Sequence, residues 1–313
     1  MFRYLKQYHM ADMKAMLHNQ RTPHHRTTAS LAGKTVVIAG ATSGVGLAAA
    51  GEVARFGGRL VLLARNAQKG RAVQARLEQD FQAQVSFFLA DFARLAEVHR
   101  VAEEVACTVE RIDVLVNSAG LHSTRKIHTE DGHELAFCVN HLAPFVLTHR
   151  LLPRMKQSGA TRVLQVNSQG HRFGGLNLAD LAWRRRVYSG LRAYGASKTA
   201  QLLSAWEFAD RLEGSGVTIN AMHPGEVRTG IGSNNGPLYR WYQRRLLWRF
   251  LGDARVAGES LHYLAAAPEL EGVSGRYFNR THPEKPAPHA LDRALGRRVW
   301  ERTMELTGLT DDL

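Results

Sequence analysis

The sequence predicts an α/β protein in which helices cover both faces of a doubly wound parallel sheet. Three observations predict it: an apolar run that ends in a glycine-rich turn, a regular alternation of strand-like and helix-like segments from residue 34 onward, and polar residues directly after several of the strands. Alternating strands and helices favour parallel pairing with helical crossovers. We expect one domain over residues 31–313, preceded by an N-terminal extension, residues 1–30.

The first strand and the turn after it predict an anion-binding site. Residues 35–39 are apolar and largely β-branched, which is typical of a strand buried on both faces. Gly40, Gly44 and Gly46 follow, and an alanine-rich helix then begins. Unpaired amide groups and the positive dipole end at a helix N-terminus attract phosphate. The spacing G-x3-G-x-G departs from the common G-x-G-x-x-G fingerprint, so this turn alone is a weak signal.

The later strands follow in the order that this fold requires. Further strand-like runs are 59–64, 85–90, 112–117, 162–167 and 217–221, with a last short strand at 276–278. Six or seven parallel strands with crossover helices make one sheet, so the 313 residues form a single domain and not two.

Residues at the ends of strands two to four predict which dinucleotide binds. About 20 positions after the glycine turn, where a carboxylate would bind the ribose 2′-hydroxyl, the chain has Ala64 and then Arg65. An arginine suits a 2′-phosphate, which favours NADP(H), although a solvated arginine at a strand end is the alternative. Asp91 and Asn117 follow the next two strands at the edge where open α/β sheets bind ligands.

A serine, a tyrosine and a lysine predict acid–base chemistry at the same edge. Ser168 closes the fifth strand, and Tyr194 and Lys198 lie four residues apart on the helix that follows. Residues at i and i+4 share a helix face. A tyrosine titrates near pH 10, and we expect the ammonium of Lys198 to bring the pKa of Tyr194 toward the working range.

The chain resembles the short-chain dehydrogenase/reductases, and within them the branch of retinol dehydrogenase and protochlorophyllide reductase. The resemblance covers about residues 31–310 and rests on GATSGVG, LLARN, ADF, NSAG, FCVNHLAPF, VNSQGH, YGASK, HPGEVRT and GVSGRYF in the family's order. It implies the Rossmann fold, with Tyr194 as the catalytic acid or base and Ser168 as the group that binds the substrate oxygen. Lys198 would hold the nicotinamide ribose, and Asn140 would hold a water in a proton relay behind Lys198.

The resemblance also implies a set of contacts to NADP(H). They come from the loops at the carboxyl ends of the strands, and the catalytic Tyr194 and Lys198 also belong to the set. The others are Gly40, Ser43, Gly44, Val45, Gly46, Arg65, Asp91, Phe92, Asn117, Ala119, Gly120, Pro224, Gly225, Val227 and Thr229.

The segment after residue 229 predicts a helical substrate lid over about residues 230–252. Its apolar and aromatic residues alternate with four arginines at helical spacing and with no acidic residue. Such a basic amphipathic helix would close an apolar pocket with one face and meet an anionic membrane surface with the other. A core-packed helix with a solvated arginine face is the alternative. For residues 1–30 the alternatives are a short helix docked on the body, a frayed arm or a membrane-surface helix.

The composition and charge of the chain limit the kinds of molecule that it is expected to bind. The net charge of +13 fits an anionic cofactor or membrane surface, and no nucleic-acid motif accompanies it. The 15 histidines form no metal-binding motif, so we expect no metal site. Cys107 and Cys138 lack metal or redox spacing, and residues 1–30 lack a signal peptide, which together favour the cytoplasm, with peripheral membrane contact. Dimers or tetramers are common in the family that the chain resembles.

These features predict an NADP(H)-dependent oxidoreductase that interconverts a lipophilic alcohol and its aldehyde or ketone. Reduction of an activated C=C bond is the alternative within enzymes. A non-catalytic nucleotide-binding scaffold or sensor is the alternative of another class, and the intact set of Asn140, Ser168, Tyr194 and Lys198 argues against it.

Overall fold

The computed structural model describes residues 7, 9–226, 253–311 and 313, and within these residues one sheet of eight strands organises the protein. The strands are β1 (Thr35–Ala39), β2 (Arg59–Ala64), β3 (Val85–Leu89), β4 (Val114–Asn117), β5 (Thr161–Val166), β6 (Val217–His223), β7 (Tyr277–Asn279) and β8 (His282–Pro283). Their order is β3-β2-β1-β4-β5-β6-β7-β8. The predicted doubly wound sheet is confirmed. An additional two-residue edge strand that the sequence does not predict, β8, lies antiparallel to β7.

Helices cover both faces of the sheet. They are α1 (Met10–Arg21), α2 (Gly44–Arg55), α3 (Ala67–Phe81), α4 (Leu95–Thr108), α5 (Leu135–Phe137), α6 (Ala143–Ser158), α7 (Gly190–Arg211), α8 (Ala254–Ala266) and α9 (Arg293–Thr307). Apolar residues of α4, α6, α7 and α9 form the core on one face, and those of α2, α3 and α8 form the core on the other. Because both faces are covered, all five residues of β1 are buried, as the apolar run predicts.

The chain reverses its direction of travel across the sheet between β1 and β4. It runs outward from β1 to β2 and β3, and then crosses back to place β4 beside β1. The loops after β1 and β4 therefore lie at the point where the strand order reverses, which is where doubly wound sheets bind their ligands.

A continuous helical stretch, Leu135–Ser158, is long and apolar enough to cross a bilayer by length and composition. It joins α5 to α6 through a π-helical turn, Cys138–Leu142. Most of the stretch is buried against the sheet and neighbouring helices, so its apolar character is that of a core helix. Cys138 belongs to this core and is fully buried.

The described part of the N-terminal extension is a helix and an extended segment that lie on the body. None of the residues of α1 is buried, and Met10, Met13 and Leu17 are exposed. Polar contacts join this part to residues 280–285 and to α8. Of the predicted alternatives, a short docked helix matches the described residues. The predicted lid, residues 230–252, lies outside the described residues.

Candidate active site

Ser168 lies where the sequence predicts it, just beyond the carboxyl end of β5. It begins a short 3-10 turn, Gln169–Phe173, and its Oγ accepts a hydrogen bond from the Gly170 amide at 3.0 Å. The Ser168 hydroxyl lies close enough to Tyr194 to act on it as a polar partner that lowers the pKa of the phenol. The two side chains that the sequence analysis assigned to the substrate oxygen are thus together.

Gly170 provides the surface on which the Tyr194 ring rests. A Cβ atom built on Gly170 would lie 2.5 Å from Cε1 of Tyr194 and 3.3 Å from Oγ of Ser168. Real Cβ atoms do not approach a ring so closely, so a side chain at this position would push the ring away. The absence of a side chain at Gly170 therefore brings the tyrosine and the serine together.

Tyr194 and Lys198 lie on α7, which begins after Ser189, whose side chain caps the Arg192 amide. Tyr194 is 8% exposed and Lys198 is 3% exposed. The Lys198 Nζ donates to the carbonyl oxygen of Val166 at 2.8 Å and to Oε1 of Gln201 at 3.2 Å. Two acceptors thus hold the buried ammonium at the carboxyl end of β5.

Burial shifts the pKa of both groups. It raises the pKa of Tyr194 to about 12, although Ser168 acts in the opposite direction. It lowers the pKa of Lys198 to about 7. The predicted decrease in the pKa of Tyr194 is therefore wrong for this structure. Desolvation of the phenolate outweighs the other effects, and the hydrogen bonds of Lys198 go to Val166 and Gln201.

Asn140 lies in the π-helical turn, Cys138–Leu142, a local widening of the helix that occurs often at functional sites. Its Oδ1 accepts from the Leu121 amide at 2.8 Å, and its Nδ2 donates to Ser197 Oγ at 3.0 Å. A Cβ atom on Gly120 would lie 3.4 Å from Asn140 Oδ1 and 3.9 Å from Lys198 Nζ. Asn140 and Lys198, the two residues predicted to form the proton relay, therefore both lie beside the Gly120 turn.

The sequence analysis missed the residues that hold Lys198 in place. Asn167 donates from Nδ2 to the Lys198 carbonyl oxygen at 2.9 Å and to Gln201 Oε1 at 2.8 Å. Gln201 in turn donates to Gln165 Oε1 at 3.1 Å. Two signals in the sequence could have identified these residues. Gln201 lies three residues after Lys198 on the same helix, and Asn167 directly precedes Ser168.

The glycine turn has the geometry of an anion site. Gly40 and Gly44 have φ angles of +85° and +55°, in the left-handed region that favours glycine. A Cβ atom on Gly40 would lie 2.7 Å from the Ala119 backbone, so the loops after β1 and β4 pack directly together. Helix α2 begins at Gly44, and the Ser43 side chain does not cap its amides. Those amides, which include Val45 and Gly46, are thus available to the phosphates of a dinucleotide.

The other residues predicted to contact the cofactor have different environments. Arg65 follows β2 and is exposed, without an ion pair to any described residue. Asp91 Oδ1 accepts from the Ala93 amide at 3.0 Å, and Phe92 is buried. The Asn117 side chain is also buried, and its Nδ2 donates to Thr148 Oγ1 at 3.0 Å.

Pro224 and Gly225 follow β6 directly, and Gly225 has a φ of +87°. A Cβ atom on Gly225 would lie 3.4 Å from the Arg280 side chain. Val227 and Thr229 lie outside the described residues. Within the described part of the chain, no group of three or more histidine, cysteine, aspartate or glutamate side chains is arranged to hold a metal ion.

Comparison with known proteins gives the family. The sequence model of the short chain dehydrogenase family matches residues 34–238. Retinol dehydrogenase 13 of Homo sapiens is 37% identical over 286 residues, which cover 90% of this chain and 86% of that protein. The crystal structure of a protein from Mycobacterium paratuberculosis has a TM-score of 0.74 and 32% identity, and the alignment covers 91% of this chain and 97% of that one.

A more distant likeness agrees in fold. A short chain dehydrogenase from Burkholderia cenocepacia, whose crystal structure is a complex with NADP, has a TM-score of 0.64 at 23% identity, over 80% of this chain and 98% of that one. The predicted resemblance is thereby confirmed: the chain belongs to the short-chain dehydrogenase family, in its retinol dehydrogenase-like branch.

Proposed function

We propose that this protein is an NADP(H)-dependent oxidoreductase that interconverts a lipophilic alcohol and its aldehyde or ketone. The observation that carries the proposal is that Ser168 and Tyr194 lie side by side at Gly170, on the face of the helix that also carries the buried Lys198. Two hydroxyl groups at one point suit the binding and protonation of a single substrate oxygen. Membership in the family supports the class of reaction.

In carbonyl reduction, Ser168 holds the substrate oxygen with a hydrogen bond and the Tyr194 hydroxyl donates a proton to it. When bound, the cofactor supplies the hydride for the carbonyl carbon. Lys198 has a pKa lowered to about 7 by burial, so its Nζ can release or take up a proton near neutral pH. Asn140 and the Gly120 turn lie beside Lys198, which supports the proposed relay of that proton toward solvent.

Arg65 supports the choice of NADP(H) over NAD(H). It is an exposed guanidinium directly after β2, next to Ala64 where an NAD-binding protein would carry a carboxylate. A guanidinium binds the 2′-phosphate through charge-assisted hydrogen bonds. The glycine turn supports dinucleotide binding in general, because its amides and the α2 dipole favour the pyrophosphate.

The lipophilic substrate is proposed from the relatives, several of which are named retinol dehydrogenases. Reduction of an activated C=C bond remains the alternative reaction, and a non-catalytic nucleotide-binding scaffold remains the alternative role. The cytoplasmic location, the contact with an anionic membrane and the homo-oligomer are predictions.

The test is an NADPH-consumption screen over aldehydes, ketones and enones of graded chain length, run with the wild type and Tyr194→Phe. Loss of the proton donor is expected to lower turnover about 10²–10⁴-fold and to leave the affinity for NADPH unchanged. Tyr263→Phe is the matched control, because it removes a tyrosine hydroxyl in the core on the other face of the sheet.

Three results would contradict parts of the proposal. If Tyr194→Phe retains more than a tenth of the wild-type activity, Tyr194 is not the proton donor. Turnover of enones alone favours the C=C reductase. Binding of NADPH without turnover of any compound favours the scaffold role.

A further inference from the structure

The turn that carries Ser168 is supported by a segment more than 100 residues away in the sequence. Glu284 follows β8, and its side chain is only 1% exposed. It accepts a hydrogen bond from Gln169 Nε2 at 2.5 Å, and its contact with Arg172 Nη2 at 3.1 Å is both a hydrogen bond and an ion pair. Gln169 is the residue directly after Ser168, so this carboxylate holds the turn next to the catalytic serine.

The same segment also fixes His171 within the turn. The Ala287 amide donates to His171 Nε2 at 3.0 Å, and His171 Nδ1 lies 2.7 Å from the Ser168 carbonyl oxygen. Because Nε2 accepts, Nδ1 carries the proton and donates to Ser168. Burial holds the pKa of His171 well below its ordinary value, so the ring stays neutral in this arrangement. Residues 284–287 therefore hold the turn through side chains and main chain together.

The N-terminal extension lies against the outer side of this support. Asn19 Nδ2 donates to the Pro283 carbonyl oxygen at 3.2 Å and to Glu284 Oε2 at 3.4 Å. Asp12 forms an ion pair with Lys285 at 2.9 Å. Glu284 thus receives hydrogen bonds from the catalytic turn through one oxygen and from the extension through the other.

Further contacts continue along the extended part of the segment. The His25 amide donates to Thr281 Oγ1 at 2.7 Å, and the His282 ring nitrogen lies 2.9 Å from the Pro23 carbonyl oxygen. These contacts fix residues 23–25 along the connection between β7 and β8. The N-terminal extension therefore covers the connection between β7 and β8 with the residues that run from the C-terminal end of α1 to residue 25.

A second carboxylate anchors the extension away from the catalytic turn. Glu259 on α8 pairs with His24 at 2.7 Å and with Arg26 at 3.0 Å. Its third partner is Arg255, also on α8, at 3.3 Å. Among the described residues, Glu259 forms its hydrogen bond and ion pairs only with His24, Arg26 and Arg255, so it provides a matched control for Glu284.

We propose that Glu284 is a positioning residue for Ser168, and that helix α1, residues Met10–Arg21, forms a strap that holds Glu284 in place. The proposal rests on the proposed function, because it assigns the N-terminal extension a role in the geometry of the Ser168–Tyr194 pair. Removing the Glu284 charge leaves the guanidinium of Arg172 without its carboxylate and loosens the Gln169 contact. The turn then shifts relative to Tyr194, because a buried ion pair that loses one partner rearranges.

The experiment compares Glu284→Gln with Glu259→Gln in the full-length chain. We expect Glu284→Gln to lower kcat about 10-fold at saturating NADPH, less than the roughly 10²-fold that a misplacement of 1 Å can cost. Its Kd for NADPH should stay at the wild-type value. Amide hydrogen exchange in residues 169–174 should rise. Glu259→Gln should leave both kcat and this exchange unchanged, even where it lowers Tm.

A cycle with Ser168→Ala distinguishes positioning from general stability. If Glu284 acts through Ser168, the additional change Glu284→Gln should have no further effect on kcat in the Ser168→Ala protein. Equal losses in both backgrounds, or equal effects of Glu259→Gln and Glu284→Gln, would overturn the positioning role. If Glu284→Gln does not fold, Gln169→Ala replaces it, with the same expected loss of kcat and the same refuting result.

The strap has its own readout. Asn19→Ala should raise hydrogen exchange in residues 169–174 above the wild-type rate, because the contact from the extension to Glu284 is lost. Unchanged exchange would overturn the strap. Hydrogen exchange needs no substrate, so it tests the support of the turn even if the screen finds no turnover and the proposed function fails.

Discussion

A methyl group on Gly170 tests how closely the active-site geometry depends on the contact between this residue and Tyr194. The φ of Gly170 is not in the left-handed region, so Gly170→Ala changes the packing and not the backbone preference. The new Cβ atom would lie 2.5 Å from Tyr194 Cε1 and 2.8 Å from Cδ1. Gly170→Ala is therefore expected to separate Tyr194 from Ser168.

The size of the effect follows from the distance. Carbon atoms pack at about 3.5–4.0 Å, so the ring and the turn must move apart by about 1 Å. A displacement of this size in a catalytic group can lower the rate about 10²-fold. Forcing an extra methyl group into a packed site costs about 1–3 kcal/mol of stability. We therefore expect kcat to fall about 30- to 100-fold and Tm to fall by several degrees.

The assay measures kcat with the best carbonyl substrate from the screen, the Kd for NADPH and Tm. Gly51→Ala is the control, since a Cβ atom there meets nothing within 4 Å and should leave all three at or slightly above wild type. A Gly170→Ala protein that retains more than half of the wild-type kcat would refute the reasoning. It would mean that the ring has room to move without losing its contact with Ser168.

Two further predictions concern the cofactor and the response to pH. Arg65→Ala should weaken NADPH binding about ten- to a hundred-fold and leave NADH binding nearly unchanged, because a hydrogen bond to a charged group contributes about 1.5–3 kcal/mol. Arg76→Ala on α3 is the control: the Arg76 guanidinium pairs with Asp80, and its loss should change the affinity for neither NADPH nor NADH. Equal losses of affinity for both cofactors after Arg65→Ala would show that Arg65 has a structural role and does not select the 2′-phosphate. Burial lowers the pKa of His141 and of His223 to about 3, below the ordinary value of 6.5. The two neutral rings therefore contribute fully to stability above pH 6.5, and this contribution is lost as the pH falls toward 3. These two rings should therefore lower the free energy of unfolding by about 3 kcal/mol for each pH unit below 6, and the buried His171 adds to this fall. Urea unfolding measures the total slope, and a total below about 1 kcal/mol per pH unit would show that these rings are charged in the folded protein.

The glycine turn and the strand pattern in the sequence are enough to predict the fold. Residues 35–39 and 59–64 were predicted with the same bounds as β1 and β2, because a strand buried on both faces needs an unbroken apolar run. The sequence was enough to assign Ser168, Tyr194 and Lys198, because each lies at a position that its neighbours in the sequence define: the end of one strand for Ser168, and one face of one helix for Tyr194 and Lys198. The strand β8 was missed since a two-residue edge strand has no periodicity.

The tertiary structure decided which partners these residues have. Lys198 bonds to Val166 and Gln201, which kept it from lowering the pKa of Tyr194 in the way that the helix spacing suggested. Asn117 bonds to Thr148 in the interior. Both outcomes depend on which groups are buried together, and sequence spacing along one strand or helix carries no information about that.

The support of the catalytic turn is the clearest case. Sequence alone placed Ser168 at the end of a strand and residues 1–30 outside the domain, but it gave no reason to connect either of them to Glu284. The bond from Gln169 to Glu284 joins residues 115 positions apart, and the bond from Asn19 joins residues 265 positions apart. A local pattern reports the strand or helix that a residue forms with its neighbours. Contacts at such separations exist only when the whole sheet brings the ends of the chain together.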